Sequence, residues 1–100
     1  MMTKKISCAV IGLGRLGYIH AKNLAAHPDV ELAWVVDALQ DRAAKVAYEL
    51  NAAKWATDVA EVFGDSNIDA VIIATPTPLH AALIKQAAQS KKQIFVEKPL

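Results

Sequence analysis

The stretch Ile6-Ser7-Cys8-Ala9-Val10-Ile11-Gly12-Leu13-Gly14-Arg15-Leu16-Gly17 decides how this chain is read. A short apolar run enters a turn holding three glycines, and helical spacing follows over Leu16–Ala26. Working outward, Val30–Val36 and Ala70–Ala74 are also rich in β-branched residues and bounded by Gly, Asp or Pro, as buried strands are. Gln93–Val96 is a further strand and Ala53–Trp55 a short one. Helical patterns occupy Ala38–Leu50, Asp58–Phe63 and Leu79–Ser90. His27-Pro28 closes the first helix, and Thr57-Asp58 offers an N-cap with Glu61 in the turn that follows. Strands apolar on both faces, each followed by a helix, predict a parallel sheet covered on both sides. The expected fold is α/β, a Rossmann-type doubly wound parallel sheet of strand order 3-2-1-4-5, whose functional positions lie just beyond the carboxyl ends of its strands.

Composition narrows the field. One hundred residues make one domain, and 54% hydrophobic against 21% charged residues is too apolar for disorder. Eleven Lys/Arg against ten Asp/Glu leave a formal charge of +1, no footprint for nucleic acid or an anionic membrane. No apolar run approaches the roughly 18 residues that span a bilayer. The single cysteine, Cys8, forms no internal disulfide, and the count excludes a four-cysteine metal site. Lys4-Lys5 before Ile6–Leu13 has the outline of a secretory signal, but two glycines and Arg15 break it and no cleavage site follows. A cytoplasmic location is expected.

In the glycine turn, Gly12 permits the tight bend and Gly14 lets the backbone approach a pyrophosphate. Gly17 lets the helix pack close to the strand, aided by Ala21. The helix start then presents unpaired N–H groups and partial positive charge to phosphates. Twenty residues past Gly17, at the end of the second strand, stands Asp37. A carboxylate there accepts hydrogen bonds from the adenosine ribose and repels a 2′-phosphate. No Arg directly follows it, so NAD is expected over NADP. The plainer alternative makes Asp37 the cap of the next helix. Arg15 either reaches the pyrophosphate or points into solvent. In Thr75-Pro76-Thr77-Pro78-Leu79-His80, two prolines stiffen a strip that either lies along the nicotinamide side of a dinucleotide or is a plain turn leading into a helix.

Taken together, Gly12-x-Gly14-Arg15-x-Gly17, His20-Ala21-x-Asn23-Leu24-Ala25, Val35-Val36-Asp37, Ala74-Thr75-Pro76-Thr77-x-x-His80 and Glu97-Lys98-Pro99 resemble the Gfo/Idh/MocA family, most of all its inositol dehydrogenase branch. The resemblance runs from Ile6 to Leu100. It implies an NAD(P)-dependent oxidoreductase that moves a hydride between nicotinamide and a carbinol carbon of a cyclitol or sugar. It makes Lys98 the catalytic residue, an ammonium that hydrogen-bonds the reacting hydroxyl, held by Glu97 and a turn at Pro99. The cofactor contacts it implies are Gly12, Gly14, Arg15, Leu16, Gly17, Asp37, Thr75, Pro76, His80, Glu97 and Lys98. The family's Asp-x-x-x-His pair, carried by a second domain, is absent from this sequence. Residues 1–100 are therefore expected to be an N-terminal NAD(P)-binding domain, truncated before its final strand or strands and inactive alone. The parent is expected to be a homo-oligomer, and the fragment to pair through its edge strand Gln93–Val96. The alternative functions are a non-catalytic dinucleotide-binding sensor module or a minimal fold without activity.

Other conspicuous residues have structural readings. His20 shares a stripe with Leu16 and Leu24 and is expected to be buried and hydrogen-bonded. His27 is expected to cap the C-terminal end of its helix and interact with the dipole there, and Cys8 and Trp34 to pack in the core. Trp55 is expected to be partly exposed, and Lys91-Lys92 to be a solvated pair.

Overall fold

The computed structural model describes residues 5–75, 80–90 and 92–96. Its elements alternate as β1 (Ile6–Ile11), α1 (Arg15–Ala26), β2 (Val30–Val36), α2 (Gln40–Leu50), β3 (Lys54–Ala56), α3 (Ala60–Phe63), β4 (Ala70–Ile73), α4 (His80–Gln89) and β5 (Gln93–Val96). All four strand pairings are parallel, in the order β3-β2-β1-β4-β5. That is the order expected from the alternation of runs.

Each face of the sheet has its own core. Val10, Leu32 and Val35 pack with Ala21 of α1 and with Ala43, Val46 and Ala47 of α2. On the other face Ala9, Ile11, Val36, Val71 and Ile73 pack with Val62 of α3 and Leu83 of α4. Strands covered on both sides need continuous apolar sequence, which is why their alternation is weak.

Along β2 the alternation breaks once. Cys8 pairs with Leu32 and Ala9 with Trp34, so Ala33 is an extra residue in the ladder. Ala33 and Trp34 consequently both join the core under α3 and α4, while Val35 returns to the face under α1 and α2. A one-residue shift moves every following side chain to the opposite face. The bulge thus brings Asp37, two residues past Val35, to the face that carries the glycine turn.

Of the boundaries that differ from the sequence reading, three lie around β3 and the starts of α2 and α3. β3 is Lys54–Ala56 rather than Ala53–Trp55, because Trp34, Val35 and Val36 pair with Lys54, Trp55 and Ala56. α2 begins at Gln40 rather than Ala38, since Leu39 is still extended at φ −90° and ψ 111°. α3 begins at Ala60, whose amide donates to Asp58 Oδ1 at 2.9 Å. Asp58 therefore does the capping foreseen for it.

Lys92 is a correction of another kind. It is buried, not solvated, and its Nζ donates to the carbonyls of Asp65 at 2.6 Å and Ile68 at 3.1 Å. Trp34 is buried as expected, and its Nε1 also donates to Asp65 Oδ2 at 2.8 Å. Trp34 in β2 and Lys92 just before β5 thus hold the loop before β4. The Trp34 hydrogen bond, then the Asn67 amide and the charges of Lys54 and Lys92, hold the Asp65 carboxyl below its usual pKa. A lowered folded pKa gives stability that is present above the unfolded value, about 3.9, and lost as pH falls through the folded one. Urea midpoints should therefore fall on acidification below about pH 4, and Asp65→Asn should flatten that limb. An unchanged limb in the variant would remove Asp65 as its source.

Candidate functional site

The glycine turn is built from the sheet outward. Gly12 adopts φ +93°, a conformation costly for side-chain-bearing residues, and its amide donates to the Val36 carbonyl at 2.7 Å. The Ala74 amide donates to Ile11 at 2.8 Å, which brings the end of β4 against the turn. A Cβ on Gly12 would lie 2.9 Å from the Ala74 carbonyl carbon and oxygen and 3.0 Å from Thr75 Cγ2. One on Gly17 would lie 1.7 Å from the Gly12 oxygen. Those two glycines are demanded by the fold itself.

Gly14 is different. Its φ of −66° suits any residue, and a Cβ there would meet no atom within 4 Å. It is the N-cap of α1, yet no side chain caps the helix and its first turn holds no acidic residue. Tyr18 makes the first bond back to Gly14, so the amides of Arg15, Leu16 and Gly17 precede the helical ladder. Arg15 and Leu16 are exposed beside them. An uncapped helix start with clear space before it can seat an anion, which takes the amide hydrogen bonds and the favourable end of the dipole.

Asp37 stands at the edge of this space. Its Oδ2 accepts from the Leu13 amide inside the glycine turn at 2.9 Å, and its Oδ1 accepts from the Leu39 amide at 2.9 Å. Asp37 is thus fixed beside the glycine turn, and it is not the cap of α2: that position is Leu39, with no side-chain cap bond. The sequence reading missed Arg42, whose Nη1 lies 3.5 Å from Asp37 Oδ2. Its signal was available: a basic residue in the first turn of the helix that starts beside the acid.

The sequence-selected positions divide by location. Gly12, Gly14, Arg15, Leu16, Gly17, Asp37 and Thr75 gather at the carboxyl ends of β1, β2 and β4. His80 is the first residue of α4. Pro76, Glu97 and Lys98 lie outside the described residues, as does Pro99. β5 reaches the same edge, with Val96 in register with Ile73.

One histidine expectation is corrected and one is refined. His20 is half-buried rather than buried, because α1 turns only part of its Leu16 stripe toward the sheet. His27 is the C-cap of α1, its amide donating to the Leu24 carbonyl at 3.1 Å, and its ring Nδ1 accepts from the Asp29 amide at 3.0 Å. An open cleft of about 430 Å³, lined by Trp34, Gln40, Trp55, Thr57, Asp58 and Glu61 among others, contains none of the selected cofactor positions.

Residues 6–100 match the model of an oxidoreductase family with an NAD-binding Rossmann fold. The chain belongs to the Gfo/Idh/MocA family. This is the family its motifs resemble, and the matched span is that family's cofactor domain. Among its relatives, a scyllo-inositol 2-dehydrogenase (NAD(+)) of Bacillus subtilis is 55% identical over 100 residues, covering 99% of this chain and 29% of the relative. A myo-inositol 2-dehydrogenase of Thermotoga maritima is 41% identical over 91 residues, 91% of this chain and 27% of the relative. The scyllo-inositol dehydrogenase of Lactobacillus casei, solved with NAD(H) and scyllo-inositol, superposes with a TM-score of 0.89 at 32% identity, covering 96% of this chain and 28% of that one. The chain therefore spans less than a third of the length of these Gfo/Idh/MocA relatives.

Proposed function

We propose that this chain is the cofactor-binding domain of an NAD-dependent dehydrogenase acting on a cyclitol or sugar hydroxyl, of the inositol dehydrogenase kind. The observation that carries the reading is the uncapped start of α1, with clear space at Gly14 and a fixed carboxylate at Asp37 beside it. The fold alone does not require Gly14 to be glycine, whereas a dinucleotide phosphate needs the room. The names of the relatives supply the substrate class.

In this reading the backbone of residues 12–17 holds the pyrophosphate, with Arg15 at its outer side and Leu16 beside the helix start. Asp37 accepts from the ribose hydroxyls. Its two amide bonds fix its orientation in advance, so little ordering is needed when the ribose arrives. Thr75, Pro76 and His80 are assigned to the nicotinamide half, and Glu97 to the positioning of Lys98. Bound NAD supplies the acceptor for the hydride. Lys98 donates a hydrogen bond to the reacting oxygen and stabilises negative charge developing there. The substrate pocket and the acid–base partner of Lys98 belong to the remaining length that the relatives possess. β5, one of the two edge strands among those described and with Phe95 60% exposed, suits pairing with a further strand of the parent or of a second copy.

Calorimetric titration of the isolated chain tests this. NAD should bind with a Kd about tenfold below that of NADP, and the chain should transfer no hydride from inositol. Equal affinities would remove the role given to Asp37. Binding of neither dinucleotide would remove the site.

A further inference from the structure

Arg42 has no part in the reading above, although its side chain is 44% exposed at the mouth of the site while that of Asp37 is 8% exposed. The carboxylate already accepts two backbone amides at 2.9 Å each. Arg42 approaches at 3.5 Å, well beyond the roughly 2.7–2.9 Å of a committed charge-assisted hydrogen bond. The pair is loose, and the other donors of the guanidinium remain available. A ribose 2′-oxygen bonded to Asp37 would carry any phosphate one bond further out, within reach of Arg42. Guanidinium is planar and forked, a shape that suits phosphate oxygens.

We propose that Arg42 is a specificity-determining residue that tempers the exclusion of 2′-phosphorylated dinucleotides, so that Asp37 repels the phosphate while Arg42 attracts it. The inference rests on the assignment of Asp37 to the ribose. It gives the chain a preference for NAD that is graded rather than absolute. It also separates two roles sharing one geometry. If Arg42 only steadied Asp37, removing it would loosen the carboxylate and weaken discrimination. If Arg42 attracts the phosphate, removing it leaves the carboxylate unopposed and sharpens discrimination. The effects have opposite signs.

The experiment measures Kd for NAD and for NADP in the wild-type chain, Arg42→Gln and Arg42→Lys by calorimetry, with thermal melts on the same samples. The ratio of the NADP to the NAD Kd should rise about tenfold in Arg42→Gln over wild type. Arg42→Lys should fall between them, since it keeps the charge and loses the fork. Added salt should raise the wild-type ratio and leave the Arg42→Gln ratio nearly constant, because an exposed attraction is screened. A ratio unchanged or lowered in Arg42→Gln, with NAD still bound, overturns this inference alone. A wild-type chain that binds neither dinucleotide overturns the cofactor assignment and this inference with it.

Discussion

Replacing Gly17 with alanine is expected to destabilise the fold by about 3 kcal/mol or more, at the upper end of what overpacking costs. The added methyl carbon would sit 1.7 Å from the Gly12 carbonyl oxygen and 3.3 Å from Ala74 Cβ. Neither obstacle is the end of a flexible side chain. The oxygen belongs to a backbone whose amide is tied to Val36 and whose left-handed conformation suits few residues but glycine. Relief therefore requires α1 to lift from β1, which would open the contacts of the fully buried Ala21. Alanine returns about 1 kcal/mol through helix propensity, too little to offset the clash. For a domain of this size the thermal midpoint should drop by more than about 10 °C. Gly64→Ala is the comparison, since its new carbon would meet only the Ala60 oxygen at 3.2 Å. A Gly17→Ala midpoint within about 3 °C of wild type, less than a single kcal/mol is worth, would show that α1 does not pack against β1 this closely.

That clash was foreseeable from three glycines, whereas other features left no mark in the residue pattern. Alternating runs carried the strand order, and the glycine pattern with Asp37 twenty residues past Gly17 carried their grouping at the carboxyl ends of β1 and β2, because buried parallel strands and tight glycine turns restrict residue type strongly. Leu32–Val36 is apolar throughout, so no period-2 signal marks the extra residue at Ala33 that turns Asp37 toward the glycine turn. Ala38 and Leu39 are good helix formers and read as the start of α2. Leu39 is instead extended, at ψ 111°, its amide bonded to an Asp37 carboxylate that also holds the Leu13 amide of the glycine turn, and the helix begins only at Gln40. Lys92 reads as surface charge beside Lys91, and its burial follows from two carbonyls more than twenty residues away. Sequence reports what a position tolerates locally; these cases were settled by partners distant in the chain.

Gly14→Ser is expected to separate folding from binding more cleanly than any other substitution in the turn. The backbone at Gly14, φ −66° and ψ −165°, is an ordinary N-cap conformation open to serine, and nothing surrounds its missing side chain. A serine hydroxyl there would accept from an amide at the start of α1, so stability should hold or rise by about 0.3 kcal/mol, the small gap between glycine and serine caps. The same hydroxyl would occupy the space assigned to the pyrophosphate and compete for its amides. NAD affinity should fall at least about tenfold, some 1.4 kcal/mol. A helix start that forgoes a favourable cap is a local rule broken, and such breaks are expected where another requirement, here a ligand, uses the same groups. Thermal melting and calorimetry on one preparation decide the matter. An intact midpoint with unaltered NAD affinity would detach the α1 amides from the phosphate, while a lowered midpoint would make Gly14 a structural glycine like its neighbours at 12 and 17.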